Sequence, residues 1–250
     1  MISQKWAKLL RSLQQKKYRK IEQLFVVEGE KAVLEVLQSE WPVKALFATE
    51  DFLQRHPLLA EKAAQVQQAS PAELAQAGSF QTNDAALAAV EIPADTGFTE
   101  VEGDWVLVLD QINDPGNLGA IIRIADWYNI KTILCSSDTV DLYNPKVIAA
   151  AKGSFLRVQL HYGDLHSWLS QTEQPVYGAY LEGDNIHQIS LPQQGGYLVM
   201  GNEASGISAD IVHLINRKVT IPAFGQTESL NVAMATAVLV DNLKRLSATR

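Results

Sequence analysis

The chain has 250 residues, of which 47% are hydrophobic and 20% charged, and its formal net charge is -7. This composition is ordinary for a soluble globular protein, and the length fits one large domain or two modest ones. The sequence has no apolar run long enough to cross a bilayer and no signal-peptide core at its start. Its one cysteine, Cys135, cannot form an internal disulfide. These features predict a cytoplasmic protein with no membrane partner.

The charge is unevenly distributed along the chain. Among the first twenty residues there is no acidic side chain, but there are seven basic ones: Lys5, Lys8, Arg11, Lys16, Lys17, Arg19 and Lys20. Such a segment can bind phosphates by releasing counterions. Alternatively, the charges are the solvated face of a helix whose other face carries Trp6, Leu9, Leu10 and Leu13. The local pattern leaves both alternatives open.

The first part of the chain predicts a small α/β domain. Strands are expected at residues 24–27, 43–48 and 85–92, and a helix is expected at residues 30–38. Ser70 followed by Pro71 is a typical helix start. We therefore predict a basic N-terminal helix and a small α/β domain over residues 1–95, and a polar linker over residues 96–104.

From residue 105 to residue 250 the pattern becomes regular. Apolar segments that predict strands alternate with helical segments. The predicted strands are residues 106–109, 132–135, 155–160, 176–180, 197–200 and 218–221, and the predicted helices include residues 120–128, 145–151 and 165–170. This alternation is typical of a parallel sheet with helices on both faces, in which ligands bind in the loops beyond the carboxyl ends of the strands.

Three such loops carry unusual residues. In the first, NDPGNLG, the glycines fit neither the dinucleotide fingerprint nor a P-loop. Asn117 lies in this loop, and Arg123 follows in an otherwise apolar helical run, where a guanidinium needs a partner or a route to solvent. In the second loop, MGNEASGIS, Gly201 would let a ligand approach the backbone, and Glu203 could pair with a cation such as Arg123.

The third loop, IPAFGQTESLNVA, leads from a strand into a long helix. Ser229 and Asn231 are residue types that cap the first turn of a helix. The helix after them is apolar almost all round, which predicts that it is buried on most sides. A buried helix headed by a polar loop would form the floor of a pocket.

Together, NDPGNLGAIIRIAD, MGNEASGIS and IPAFGQTESLNVA resemble the SpoU/TrmH family of RNA 2′-O-methyltransferases, within the SPOUT class. The resemblance covers the chain from about residue 105 to its end, and the three motifs agree in content, order and spacing. FVVEGEKAVLEVL resembles, more weakly, the small substrate-binding domain that precedes the catalytic domain in many members. Ala204 departs from the family pattern, in which glycine is common at this position.

The resemblance implies a parallel sheet with a C-terminal trefoil knot, a homodimer and S-adenosyl-L-methionine as cofactor, without a metal. It implies that main-chain groups at Gly201, Ile221 and Leu230 hold the cofactor. The residues it assigns to catalysis are Arg123, Asn117, Glu203, Ser229 and Asn231. Arg123 would act on the ribose 2′-hydroxyl either as a base or, because a guanidinium stays protonated, as an electrostatic stabiliser.

The expected substrate is structured RNA, with ribosomal RNA favoured over transfer RNA. One alternative is a non-catalytic RNA-binding protein on the same fold, although such a protein would not need to keep all five catalytic residue types. A second alternative is a Rossmann-fold oxidoreductase. It is disfavoured because the glycine fingerprint is missing and the second strand ends in Cys135 and Ser136 rather than in an acid.

Overall fold

The computed structural model of the chain describes residues 1–190 and 195–248. These residues form two compact units. The first unit contains Met1–Asp95 together with Asp141–Leu156, and the second contains Thr96–Val140 and the chain from Arg157 onward. The chain thus contributes one short internal segment, residues 141–156, to the first unit.

The described strands and helices alternate along most of the chain. The strands are β1 (Leu24–Glu28), β2 (Val43–Ala48), β3 (Val66–Gln68), β4 (Ala86–Glu91), β5 (Trp105–Leu109), β6 (Thr132–Ser136), β7 (Gln159–Gly163), β8 (Val176–Asn185), β9 (Gly196–Met200) and β10 (Arg217–Thr220). The helices are α1 (Gln4–Ser12), α2 (Lys16–Glu22), α3 (Glu30–Gln38), α4 (Glu50–Arg55), α5 (Pro57–Ala60), α6 (Pro71–Ala77), α7 (Pro115–Trp127), α8 (Pro145–Ala151), α9 (Leu165–Leu169), α10 (Ala209–Val212) and α11 (Val232–Ala248).

The first unit is built on a four-stranded mixed sheet with the order β1-β4-β2-β3. β4 is antiparallel to both β1 and β2, and β3 is parallel to β2. The α1 helix buries Leu10 and Leu13 in a core cluster that also contains Phe47 and Leu74. Ser70 and the N3 glutamate of α6 form a capping box, which confirms the predicted helix start.

The basic N-terminal segment forms two helices rather than one, and Arg19 lies on its inner side. Its side chain is only 3% exposed. Nη1 donates to the backbone oxygens of Leu13 and Gln14 at 2.8 and 3.0 Å, and Nη2 binds Asp141 Oδ2 at 2.6 Å. Arg19 therefore closes the turn between α1 and α2 and is not available to phosphates, unlike the lysines around it.

The segment of residues 141–156 explains a wrong strand prediction. Residues 155–160 were expected to form one strand, but Phe155 lies in a short 3-10 helix, Ser154–Leu156, and β7 begins only at Gln159. The ring of Phe155 packs against Phe25 and Trp41 in the first unit, with ring centroids 6.1 and 5.8 Å apart. This long-range aromatic packing overrides the local strand preference.

The second unit contains a six-stranded sheet with the order β10-β8-β9-β5-β6-β7, and every pair of neighbours in it is parallel. β5 and β9 are buried along their whole length, as expected for strands covered on both faces. Leu109 is in register with Met200 on one side and with Cys135 on the other. The loops that follow these three strands therefore begin side by side, and the predicted parallel α/β sheet is confirmed.

The last helix, α11, packs against α7. It is not buried on most sides as expected, because Met234 is 63% exposed and Ala235, Ala237 and Val238 are half-buried.

Within the part of the chain that the structure describes, we find no helix with the length and apolar character needed to cross a membrane.

Candidate active site

The first site residue, Asn117, lies inside a helix rather than in a loop. The helix predicted from residue 120 begins five residues earlier, at Pro115, with Asp114 as its N-cap. Oδ1 of Asp114 accepts a hydrogen bond of 2.8 Å from the backbone N–H of Asn117. Proline in the first turn together with aspartate as the cap is a sequence signal for this helix start. Asn117 is therefore held on a rigid first turn.

Three predicted catalytic residues, one from each motif, form a chain of side-chain hydrogen bonds. Nδ2 of Asn117 donates a short hydrogen bond to Oε1 of Glu203, and its Oδ1 accepts from Nδ2 of Asn231 at 2.9 Å. Oδ1 of Asn231 accepts from the backbone N–H of Ala233 at 3.0 Å and so caps α11. Because this oxygen is committed to the helix end, Asn231 presents its amide nitrogen to Asn117, which must then present its own nitrogen to Glu203.

Arg123 is on the same helix as Asn117, but the structure does not pair it with Glu203 as expected. Its side chain is exposed and makes no hydrogen bond or ion pair with any described residue. The carboxylate of Glu203 is instead bound to Asn117. The guanidinium therefore takes the route to solvent and remains available to an anionic ligand.

Position 201 has no room for a side chain, because the backbone of the same loop lies against it. A side-chain carbon at this position would lie 2.4 Å from the carbonyl carbon of Gly206 and 2.5 Å from the backbone nitrogen of Ile207. The loop folds back here, and Asn202 and Gly206 exchange two backbone hydrogen bonds of 3.0 and 2.9 Å. The backbone of the same loop thus occupies the side of Gly201 on which a side chain would lie.

Two residues without an assigned role connect this loop to the end of β5. Nδ2 of Asn202 donates to the backbone oxygen of Gln111 at 2.8 Å, and its Oδ1 accepts from the backbone N–H of Ala204 at 2.9 Å. Oδ2 of Asp110, which is 3% exposed, accepts from the backbone N–H of Ser208 at 2.7 Å. A carboxylate directly after a buried strand, as at Asp110, is the sequence signal that would have identified this connection.

Hydroxyl groups at the end of β6 and just after it also hold the segment that follows β5. Thr139 Oγ1 donates to the backbone oxygen of Leu109 at 3.1 Å and accepts from the N–H of Ile112 at 3.3 Å. Ser136 Oγ accepts from the N–H of Gln111 at 2.9 Å, where the backbone has φ = 59°. Two loops thus position the start of α7, and nothing in the local sequence around Thr139 predicts this role.

The remaining predicted residues lie near the third motif. Ile221 follows β10 and is partly buried, whereas Leu230 is 48% exposed. Ser229 is exposed and forms no hydrogen bond with a described residue, so Asn231 alone of the two polar residues caps α11. The backbone groups of residues 221–230 also form no hydrogen bonds with the described part of the chain, and Phe224 is 96% exposed. This loop therefore presents unpaired main-chain groups and apolar side chains together.

The described residues contain neither a metal-binding cluster nor a reactive thiol. Across residues 1–190 and 195–248 there is no group of three or more His, Cys, Asp or Glu side chains able to hold a metal ion. Burial raises the pKa of the Cys135 thiol strongly, which outweighs the opposing hydrogen bond with Tyr162. Cys135 is therefore a neutral core residue rather than a nucleophile.

The sheet and this side-chain cluster define an α/β domain whose site lies at the carboxyl ends of parallel strands. The chain belongs to the SpoU rRNA methylase family, whose model matches residues 104–241. A second model, the MRM3-like substrate binding domain, matches residues 5–88. The family assignment made from the three motifs is thereby confirmed, as is the small substrate-binding domain before it.

Individual relatives agree with this assignment. The chain is 30% identical over 238 residues, 94% of each protein, to the 23S rRNA (guanosine(2553)-2′-O)-methyltransferase RlmP of Bacillus subtilis. It is 34% identical to a TrmH-family protein from Porphyromonas gingivalis, with a TM-score of 0.87 over 98% of this chain and 99% of that one. An AdoMet-bound rRNA methyltransferase from Sinorhizobium meliloti, 24% identical, has the same fold, with a TM-score of 0.87 over 98% and 97% of the two chains.

Proposed function

We propose that this chain transfers a methyl group from S-adenosyl-L-methionine to the 2′-oxygen of a ribose in ribosomal RNA. The observation that carries this proposal is the chain of hydrogen bonds between Glu203, Asn117 and Asn231, which links the three motifs. Its central residue, Asn117, is on the same helix as Arg123. The chain is an RNA ribose 2′-O-methyltransferase. Ribosomal RNA is favoured over transfer RNA because the relative matched over nearly its full length acts on 23S rRNA.

The loop of residues 221–230 fits the cofactor. Its unpaired main-chain groups can bind the polar edges of the adenosine and the methionine, and its exposed apolar side chains can cover a purine ring. We propose that Ile221 and Leu230 hold the cofactor through this backbone, with Gly201 at the neighbouring strand end. When bound, S-adenosyl-L-methionine supplies an electrophilic methyl group on its sulfonium sulfur.

The role proposed for Arg123 is electrostatic. A ribose hydroxyl is a poor nucleophile, so the site must stabilise negative charge on its oxygen as the proton leaves, and must align that oxygen with the methyl group. A guanidinium stays protonated at neutral pH and can bind the adjacent phosphate and the developing alkoxide. Asn117 and Asn231 would orient the ribose, Glu203 would fix the amide of Asn117, and Ser229 would supply a hydroxyl at the rim of the site.

Four further parts belong to the proposal: a homodimer, a trefoil knot, a domain division and a location in the cytoplasm. Trp127 on α7 is 84% exposed and Met234 on α11 is 63% exposed, so each is an apolar side chain that a homodimer contact would cover. The trefoil knot would fold residues 221–230 over the cofactor. We keep the division into residues 1–95, 96–104 and 105–250 as the proposed functional organisation. A ribosomal RNA substrate would place the protein in the cytoplasm.

Methyl transfer from radiolabelled S-adenosyl-L-methionine to ribosomal RNA tests the function directly. Arg123→Ala is expected to lower kcat by roughly 100- to 1,000-fold, as for loss of one oxyanion donor, and to leave cofactor binding nearly unchanged. Lys131→Ala removes an exposed cation of the same unit and is the matched control. Binding of RNA without any methyl transfer by the wild type would favour the non-catalytic alternative. Near-normal turnover by Arg123→Ala would show that Arg123 has another role.

A further inference from the structure

The exposed side of α2 combines lysines with apolar side chains. Tyr18 is 37% exposed and Ile21 is 63% exposed, and they lie three residues apart on one side of the helix. Lys17 and Lys20 are also exposed, and Nζ of Lys17 lies 5.9 Å from the centroid of the Tyr18 ring. We call Lys17, Tyr18, Lys20 and Ile21 the α2 face.

The lysines of α2 carry like charges without a counter-charge from the described residues. Lys16 and Lys20, four residues apart, repel one another on the helix, and no described carboxylate forms an ion pair with Lys16, Lys17 or Lys20. A large apolar side chain such as Ile21 is also left in water. Arg19, in contrast, is used internally by Asp141. The α2 face thus has the composition expected of a surface that binds an anionic partner.

A nearby groove fits such a partner less well. It has a volume of about 640 Å³, and its lining includes Lys5, Lys44 and Trp6. It also contains two carboxylates, Glu22 and Glu91, which offset the two lysines, and Glu91 lies 3.4 Å from Nζ of Lys44. Charge complementarity to phosphates is therefore found on the α2 face rather than in the groove.

We infer that the α2 face binds an unpaired stretch of RNA, with one base stacked on the Tyr18 ring and the flanking phosphates held by Lys17 and Lys20. The inference rests on the proposed function, since it takes RNA as the substrate. An exposed aromatic ring can stack on a base only if that base is not already stacked inside a duplex. Lysines around such a ring are typical of single-strand binding.

Binding of a labelled unstructured RNA of about twelve nucleotides to the full chain, followed by fluorescence anisotropy, tests this inference. Tyr18→Ala is expected to weaken binding roughly 5- to 150-fold, the range for losing one base–aromatic stack, whereas Tyr18→Phe keeps the ring and binds like the wild type. Lys17→Ala and Lys20→Ala are each expected to lower the slope of log affinity against log salt by about 0.7. Leu58→Ala and Lys131→Ala, which alter an exposed apolar residue and an exposed lysine elsewhere, are the controls.

The outcomes separate this inference from the proposed enzyme activity, because binding is measured without cofactor or turnover. Thermal melting shows whether Tyr18→Ala is folded, and the Tyr18→Phe comparison remains informative if it is not. Unchanged affinity of a folded Tyr18→Ala, weak binding by Tyr18→Phe, or no binding by the wild type would overturn the inference. Equal effects of Tyr18→Ala on the single strand and on a duplex of the same sequence would also overturn it, because the ring would then not act by stacking on an unpaired base.

Discussion

Replacing Asn117 by aspartate tests the hydrogen-bonded chain at the site with almost no change in shape. The donor nitrogen that now faces Oε1 of Glu203 becomes a carboxylate oxygen, while the oxygen that accepts from Asn231 is kept. One hydrogen bond to a charged acceptor is replaced by the repulsion of two negative charges. The perturbation is therefore confined to the link between the first and second motifs.

The expected cost follows from distance and exposure. Two unit charges about 3 Å apart repel by about 1.4 kcal/mol in water and by about 5 kcal/mol at an effective dielectric constant of 20. Glu203 is exposed and Asn117 is half-buried, so solvent screening favours the lower part of this range. Adding about 1 kcal/mol for the lost hydrogen bond, we expect Asn117→Asp to lower the free energy of unfolding by about 2–3 kcal/mol at neutral pH.

The pH dependence of this loss gives it a signature. Repulsion between the two carboxylates raises the pKa of one of them in the folded state. The loss is therefore fully present above that raised pKa and shrinks as the pH falls through it, because protonation restores a donor between the two side chains. Urea denaturation at pH 7.5 and at about pH 4.5 measures the difference, and S-adenosyl-L-methionine binding and methyl transfer report on the site.

Asn113→Asp is the matched control, since it adds the same charge at an exposed position four residues earlier. We expect this variant to keep the stability and the activity of the wild type. If Asn117→Asp were as stable and as active as Asn113→Asp at pH 7.5, the bond between Asn117 and Glu203 would not hold the site together.

Three further predictions concern single contacts. Gly201→Ala places a carbon against backbone atoms of residues 206–207 and is expected to destabilise the protein by about 1–3 kcal/mol in thermal unfolding. The control Gly225→Ala meets open space and should be neutral. Equal melting temperatures of the two variants would contradict this expectation. Burial would raise the pKa of Glu100, but hydrogen bonds from Thr172, Tyr197 and Gln174 outweigh it and lower that pKa. The contribution of ionised Glu100 to the free energy of unfolding is thus present above its unfolded pKa and is lost as the pH falls through its folded pKa. Tyr197→Phe should lower the free energy of unfolding in urea by about 1.5–3 kcal/mol at pH 7 and by less near pH 3. A loss that did not depend on pH would show that it does not come from the bond to ionised Glu100. Arg19→Ala leaves a carboxylate and two carbonyl groups without their donor and is expected to cost about 3–5 kcal/mol by denaturation, so a loss below about 1 kcal/mol would show that Arg19 is not the internal link described here.

Several elements could be predicted from the sequence because their signals are local. The α3 helix has the predicted bounds, and β2 coincides with the predicted strand at residues 43–48. Ser70 with Pro71 predicted the start of α6 because capping depends only on residues three apart. The three motifs identified the family for a related reason: each is a short contiguous run at the end of one strand, and together they assigned Asn117, Glu203 and Asn231 to one catalytic site.

Other features were decided by contacts between distant residues. Arg19 has the same local sequence context as the lysines beside it. It is internal because Asp141, 122 residues away in the sequence, binds its guanidinium. The partner of Glu203 proved to be Asn117 rather than Arg123, because the direction of each side chain follows from how α7 and the loop after β9 are placed. Thr139 fixes the β5–α7 loop through bonds to Leu109 and Ile112 across adjacent strands. Local propensity and motif content thus determined the elements and the family, whereas tertiary packing determined which polar groups bind each other, since hydrogen bonding at a few ångströms depends on positions that no single segment encodes.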